Sequence, residues 1–263
     1  MSQRQLVDDT GTHVLVPEVA TRVVSLVPSL TDTLAATAPQ TLIGATDWCA
    51  HPPGLDVVRV RGTKNPNLDR IRELAPDLVL ANFEENRPQD LAALRAAGIP
   101  VWVTEIHTLP EALSSLERML AACGHARPAW LEHARTQWAD VLAEVPAARE
   151  HAVVPIWRRP WMVLGAGTYA GDLLARLGLA NVYATAEDRY PKVPIAELNA
   201  GGAEVVVLPD EPYTFTATDG PECFPHLPAA LLTGRYLTWY GPALVEAREV
   251  LSRQLSARLP APG

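Results

Sequence analysis

Cysteine is scarce in this chain of 263 residues. Cys49, Cys123 and Cys223 are far apart and form no C-x-x-C pair. The sequence therefore supports neither a structural zinc site nor a framework of disulfides. We interpret the three cysteines as reduced thiols, most of which serve in packing.

Long hydrophobic runs are missing as well. No stretch approaches the ~18 consecutive apolar residues that a membrane-spanning helix needs. The start of the chain, MSQRQLVDDTGTHVLVPE, is polar and contains aspartate, so it is not a secretory signal peptide. We expect one of two locations: the cytoplasm if Met1 is the native start, or a periplasmic or membrane-anchored location outside the cytoplasm if a leader was removed.

Catalytic sequence motifs are also lacking. The chain has no G-x-S-x-G, Walker A or G-x-G-x-x-G motif, and its Ser, His and Asp residues suggest no triad. Gly165, Gly167 and Gly171 have one residue too many between the second and third glycine for a dinucleotide fingerprint. The net charge of −8 argues against a broad phosphate-binding surface but permits docking onto a basic partner. We therefore expect a protein that is not an enzyme.

The sequence does contain an alternation of apolar, β-branched runs with helical patterns. In the first part, strands are predicted at 22–27, 42–46, 57–60, 78–82 and 100–104. Gly98 and Gly124 are expected to end two of the helices in this part. The second part has strand-like runs at 153–157, 161–164 and 204–208, and a closing helix at 242–259. This alternation predicts an α/β fold with parallel sheets covered by helices on both faces.

A long helical pattern separates the two alternating parts. It covers Arg127–Val145, with Pro128 near its first turn and Pro146 at its end. Leu131, Ala134 and Trp138 fall on one face, which we expect to be buried. The predicted organisation is an N-terminal α/β lobe (1–125), a connecting backbone helix (126–147) and a C-terminal α/β lobe with the closing helix (148–263).

Four sequence stretches occur in an order typical of a known family. They are RVVSLVPSLTDTLAA, LIGATDWCAHPP, GTKNPNLDRIRELAPDLVLANFEEN and GIPVWVTEIHTLPEAL. From about Val7 to Leu251 the chain resembles the class III substrate-binding proteins of ABC importers, or helical-backbone metal receptors, and cobalamin-binding members most. The resemblance implies two Rossmann-like α/β lobes joined by one long helix, with the ligand cleft between them. It also implies capture of cobalamin, haem or a ferric siderophore by a monomer without a cofactor of its own.

The predicted ligand contacts lie at strand ends, because parallel α/β sheets bind ligands outside the carboxyl ends of their strands. Trp48 and Phe83 suit stacking on a flat ligand. Lys64 stands where the cobalamin receptors have an aromatic residue, and it suits an anionic ligand group. The predicted ligand-binding residues are Pro28, Ser29, Trp48, Cys49, Lys64, Phe83, Glu84, Glu85, Asn86, Trp157, Tyr190, Trp239 and Tyr240.

For several of these residues, a purely structural or surface position is the alternative to ligand binding. Trp48 would equally fit a position buried beneath its own loop, and Lys64 a plain surface position. Glu84 and Glu85 are either ligand contacts or the solvated rim of the cleft. Trp239 and Tyr240 are assigned through the resemblance, because an aromatic segment before the final helix contacts the corrinoid in the cobalamin receptors.

Asp69 and Glu197 are candidate docking residues for the transporter. Each is predicted near the start of a short helix, where the helix dipole alone favours a carboxylate. In the importers, one acidic residue per lobe docks against arginine on the membrane permease, and these two residues match by position. The resemblance therefore implies a partner, the ABC permease complex, and no nucleic acid.

Two other functions remain open. A direct metal-ion receptor would need histidines and carboxylates that converge, and His51, Glu84, Glu85 and His107 are the candidates. His51 or His107 would also suit an axial ligand of a bound metal, although we assign no metal ligand. An intracellular tetrapyrrole carrier or chelatase-like enzyme would explain the missing signal peptide, since chelatases also use two similar α/β lobes.

Overall fold

The computed structural model describes residues 2–262, which form two compact units. The first unit comprises the chain up to Ile106, Glu111–His133 and Tyr240–Pro242. The second comprises His107–Pro110, Ala134–Trp239 and the chain from Ala243 onward. Each unit contains a parallel sheet, which confirms the predicted α/β fold class. Met1 and Gly263, the outermost residues of the predicted lobes, lie outside the described residues.

The first unit contains a parallel sheet, two small hairpins and helices. Its strands are β1 (Gln3–Val7), β2 (His13–Pro17), β3 (Val23–Ser25), β4 (Leu42–Ala45), β5 (Val58–Arg59), β6 (Arg61–Gly62), β7 (Asn65–Pro66), β8 (Leu78–Asn82) and β9 (Val101–Thr104). Its helices are α1 (Pro28–Ala35), α2 (Leu68–Glu73), α3 (Pro88–Ala96) and, from Glu111 onward, α4 (Leu109–Ala122). The five-stranded parallel sheet has the order β5-β4-β3-β8-β9. The antiparallel hairpins are β1–β2 and β6–β7.

Strand β8 lies inside the parallel sheet, and all five of its residues are buried. A parallel sheet that is covered on both faces needs strands that are apolar on both sides. This requirement explains why the run from Leu78 to Ala81 is continuously apolar. Val79 and Ala81 pack in one core cluster with Ile71 of α2 and Leu94 of α3.

The second unit contains a parallel sheet of four strands and one antiparallel hairpin. Its strands are β10 (Glu150–Val153), β11 (Pro155–Arg158), β12 (Trp161–Val163), β13 (Leu179–Asn181), β14 (Val205–Pro209) and β15 (Ala229–Leu232). The helices that follow α4 are α5 (Ala129–Leu142), α6 (Tyr169–Arg176), α7 (Ile195–Ala200), α8 (Gly234–Thr238) and α9 (Leu244–Ser256). The parallel sheet has the order β13-β10-β14-β15.

Two predicted strands of the second part are not strands of its parallel sheet. The runs 153–157 and 161–164 correspond to β11 and β12, which pair antiparallel through Arg158 and Trp161. Arg159 and Pro160 form the turn between them, and two residues suffice for an antiparallel connection but not for a parallel one. The parallel strand of this region is the preceding one, β10.

Helix α5 is shorter than predicted. It spans fourteen residues, and the boundary between the two units falls within it, between His133 and Ala134. Leu131, Ala134 and Trp138 are fully buried, which confirms the predicted apolar face. The Trp138 indole N–H donates to the Leu244 carbonyl oxygen at 3.0 Å. Among residues 2–262, no helix combines the length and the apolar character needed to cross a membrane.

Substitution of Gly124 tests how tightly the end of α4 is packed. Gly124 has φ +85°, and a Cβ atom there would lie 2.4 Å from the Glu18 carbonyl oxygen. Gly98 ends α3 with φ +79° but has open space around its Cβ position. We expect Gly98→Ala to cost about 1 kcal/mol for the left-handed backbone alone, and Gly124→Ala to cost at least about 2 kcal/mol more because main-chain atoms must move. Thermal unfolding measures both, and equal losses would contradict the packing described for Gly124.

Candidate functional site

The carboxyl ends of the parallel strands in the first unit lie along one edge of its sheet. β3, β4, β8 and β9 run parallel to one another, so the segments that follow them emerge at the same edge. In folds of this kind that edge is the usual ligand site. Most predicted contacts of the first part of the chain follow these strands: Pro28, Ser29, Trp48, Cys49, Phe83, Glu84, Glu85 and Asn86.

Two aromatic side chains are exposed at this edge. Trp48, after β4, is 70% exposed, and Phe83, after β8, is 53% exposed. The alternative that Trp48 is buried beneath its own loop is therefore wrong. Large exposed rings of this kind provide flat apolar surface that suits stacking.

The β6–β7 hairpin is fastened to the loop that carries Phe83. Lys64 lies between these strands, and its Nζ donates to the Glu84 carbonyl oxygen at 2.5 Å. The Asn86 side-chain amide donates to the Thr63 carbonyl oxygen at 3.0 Å. Gly62 of the same hairpin approaches Trp48, whose Nε1 would lie 3.3 Å from a Cβ at Gly62. We call Trp48, Lys64, Phe83, Glu84 and Glu85 the aromatic edge of the first unit.

Two asparagines shape the end of β8. The Asn82 side-chain oxygen accepts from the backbone N–H groups of Glu84 at 2.9 Å and Glu85 at 3.1 Å. The Asn86 side-chain oxygen accepts from the Asn82 N–H at 2.9 Å. Asn86 is 3% exposed, so its amide group is used within the protein. The geometry gives Asn86 a structural role in the loop.

Glu85 has a perturbed carboxyl group. Burial raises its pKa, the positive charge of Lys64 works against the rise, and the charge of Glu84 adds to it. Among residues 2–262, no group of three or more His, Cys, Asp or Glu side chains is arranged to hold a metal ion. The predicted convergence of His51, Glu84, Glu85 and His107 on a metal is therefore not found. The His107 Nδ1 atom lies 2.8 Å from Arg189 Nη1 and 3.2 Å from the Gly167 carbonyl oxygen.

Four predicted contacts are wholly or partly buried in the first unit. Cys49 is fully buried, with its sulfur 2.9 Å from the Thr31 hydroxyl oxygen, and burial raises its pKa. Ser29 is also buried, and Pro28 is half-buried at the start of α1. Burial strongly raises the pKa of Tyr240, while hydrogen bonds with Ser29 and Thr104 oppose that rise. Tyr240 therefore links the ends of β3 and β9.

The second unit has an aromatic cluster next to its own strand ends. Trp157 of β11 is 42% exposed and meets the Tyr213 ring edge-on at 5.6 Å. Tyr213 in turn contacts Phe215 at 4.6 Å. Tyr213 follows β14 and was not among the predicted residues, although the aromatic pair in EPYTF directly after a buried strand was a usable signal.

Trp239 and Tyr190, the other predicted contacts of the second part, are half-buried in the second unit. The Trp239 indole N–H donates to the Glu211 carboxylate at 3.0 Å. The Arg235 guanidinium carbon lies 5.8 Å from the centre of the Trp239 ring, which places Trp239 between an acid and a cation. Glu211 and Arg235 are further polar groups of this region that sequence reasoning missed, since nothing in their spacing connects them with Trp239.

The two candidate docking acids lie on helices of different units. Asp69, in the first turn of α2, is 86% exposed and pairs with Arg72 at 2.7 Å. Glu197, in the first turn of α7, is exposed. Both are accessible to a partner protein.

Comparisons with known proteins agree on one family. A family model described as periplasmic binding protein matches residues 23–218. The vitamin B12-binding protein of Vibrio cholerae is 26% identical over 201 residues, which are 72% of this chain and 71% of the relative. The crystal structure of the periplasmic vitamin B12-binding protein of Vibrio cholerae superposes with a TM-score of 0.70 at 21% identity, covering 90% of this chain and 97% of that one. A periplasmic haem-binding protein in complex with two haems gives a TM-score of 0.73 at 23% identity, covering 89% and 97%.

Asn86→Ala tests whether this residue shapes the loop. It would leave the Asn82 N–H and the Thr63 carbonyl without their present partners, at a cost of about 1–3 kcal/mol. Phe83→Ala is the matched control from the same loop, and its exposed ring should change the free energy of unfolding by less than about 0.5 kcal/mol. Thermal unfolding distinguishes the two variants. A stable Asn86→Ala protein would contradict the role assigned to this amide.

Proposed function

Because the chain belongs to the periplasmic binding protein family, we propose that it captures a corrinoid or an iron chelate outside the cytoplasm and delivers it to an ABC importer. It binds this ligand without catalysing a reaction. The relatives named for vitamin B12 binding and the structural neighbour that holds haem support this ligand class. Family membership also favours a binding role over the chelatase-like alternative.

The observation that carries the proposal is the exposure of Trp48 and Phe83. Trp102 of β9 in the same sheet is, by contrast, only 1% exposed. Covering about 100 Å² of each exposed ring would contribute about 2.5 kcal/mol at ~25 cal/mol per Å². A flat corrin or porphyrin presents a face of the size needed to cover such rings.

The polar groups of the aromatic edge further restrict which functional groups the ligand carries. Lys64 uses one of its donors on the Glu84 carbonyl oxygen, and an ammonium group has three. Its remaining donors suit a carbonyl, carboxylate or phosphate oxygen at the periphery of the ligand. The Glu85 carboxyl group at the same edge suits an amide or hydroxyl group that donates to its oxygen atoms.

We further propose that Asp69 and Glu197 contact the permease. Both carboxylates are exposed on helices, and the family pattern of one docking acid per lobe supports the proposal. Charge pairing of this kind mainly sets the rate and orientation of encounter. Asp69 already forms an ion pair with Arg72. On docking, Asp69 would exchange this partner for an arginine of the permease.

Ligand titration tests the capture of a metal chelate. We expect purified protein to bind hydroxocobalamin, haemin or a ferric siderophore, with a change in absorbance and a higher melting temperature. Trp48→Ala and Phe83→Ala should each weaken binding at least about tenfold, because each loses about 1.4 kcal/mol or more of stacking. Leu15→Ala is the control, since Leu15 is 51% exposed on β2. The proposal fails if none of the three ligand classes binds the unchanged protein.

A reconstituted importer tests the docking acids. Asp69→Ala and Glu197→Ala should lower ligand delivery several-fold, because each removes a charge that orients the complex, and should leave ligand affinity unchanged. Glu73→Ala is the matched control, because Glu73 lies on the same helix as Asp69 and is 64% exposed. Delivery that is equally reduced in all three variants would sink the assignment of specific docking positions.

A further inference from the structure

A cavity of about 510 Å³ opens beside the β11–β12 hairpin of the second unit. Three of the residues that line it are basic: Arg158, Arg159 and Lys192. The apolar part of the lining includes Trp161 and Val193. None of these residues belongs to the aromatic edge of the first unit.

Arg158 is held in place by acidic residues. Its guanidinium group contacts the Asp219 carboxylate and lies 2.6 Å from Glu222 Oε1. The guanidinium carbon lies 5.8 Å from the centre of the Trp161 ring. Two carboxylates therefore more than offset the positive charge of Arg158, and Arg158 forms part of a fixed wall.

In the described part of the chain, the positive charges of Arg159 and Lys192 are not offset by neighbouring carboxylates in this way. Both are exposed, and in residues 2–262 neither side chain forms a hydrogen bond or an ion pair. The chain as a whole carries a net charge of −8. Two cations without acidic partners at one cavity are therefore opposite in sign to the protein's overall charge. An anion bound there would gain from both cations without displacing an existing partner.

The size and the walls of the cavity indicate what kind of anion fits. A volume of about 510 Å³ lies in the range of roughly 300–1,000 Å³ that is typical of small-molecule sites. Trp161 is half-buried because it stacks on Phe215, with ring centres 6.1 Å apart, so it presents a fixed apolar surface. A bare inorganic ion would leave that surface uncovered.

We propose that this cavity binds an organic anion, in which a carboxylate or phosphate group meets Arg159 and Lys192 and an apolar body covers Trp161. Such an anion has two sources. It is either a separate small molecule or an acidic substituent of the metal chelate, and the second case rests on the proposed function. The chemistry recognised by the cavity is the same in both cases.

The first test uses small probes on the full chain. Phenyl phosphate and benzoate should bind in titration calorimetry and in saturation-transfer NMR, whereas benzamide and inorganic phosphate should bind roughly tenfold more weakly. The double variant Arg159→Ala/Lys192→Ala should lose roughly tenfold or more in affinity for the organic anions. Arg159→Lys/Lys192→Arg should keep it, because it preserves both charges.

The second test compares haemin with its dimethyl ester, which lacks the free carboxylates. If the anion is part of the chelate, Arg159→Ala/Lys192→Ala weakens haemin binding and leaves ester binding unchanged. Arg70→Ala/Arg253→Ala removes the same number of charges from side chains that are 49% and 67% exposed elsewhere, and should affect neither ligand.

The proposal is overturned if the double alanine variant binds the small organic anions and haemin as the unchanged protein does. Failure of the proposed function is a different result. In that case no metal chelate binds, while phenyl phosphate and benzoate still bind the unchanged protein and the double alanine variant still binds them more weakly. Melting curves of the double alanine variant should match the unchanged protein, because both side chains are exposed and unpartnered.

Discussion

The side-chain amides at the end of β8 are the constraint on which the aromatic edge depends. A strand that leaves a parallel sheet must satisfy its last main-chain N–H groups before the chain can turn away. Asn82 does so for Glu84 and Glu85, and Asn86 does so for Asn82. With these groups satisfied locally, Phe83 needs no packing to keep its loop in place and its ring can remain exposed. The same Asn86 amide fixes the neighbouring hairpin through Thr63.

The electrostatics of the two units differ in kind. In the first unit, the edge beside Phe83 carries two carboxylates against one lysine, and burial of Glu85 shifts its pKa upward. In the second unit, the cavity lining carries basic residues, and among them only Arg158 has acidic partners within residues 2–262. A net charge computed for the whole chain conceals this difference, because it averages over surfaces that face different chemistry.

The α/β class and the strand ends could be predicted from the sequence because they follow from apolar runs and their spacing. The buried strand before Phe83 and the glycines that end α3 and α4 are local features, and the structure has them where they were expected. The β11–β12 hairpin was read as two sheet strands because a short apolar run does not reveal the direction of its partner. The burial of Tyr240 was not visible either, since it depends on contacts with residues far away in the chain, Ser29 and Thr104.

Tyr240 has a consequence for how the protein is made. It belongs to the first unit together with Gly241 and Pro242, and its hydroxyl group bonds with Ser29 and Thr104. Domains that consist of one continuous segment can fold as soon as that segment has left the ribosome. The first unit is complete only once Tyr240 has been synthesised, because this buried side chain follows most of the second unit in the chain. The contacts that Tyr240 makes at the ends of β3 and β9 therefore form only after the polypeptide of most of the second unit already exists.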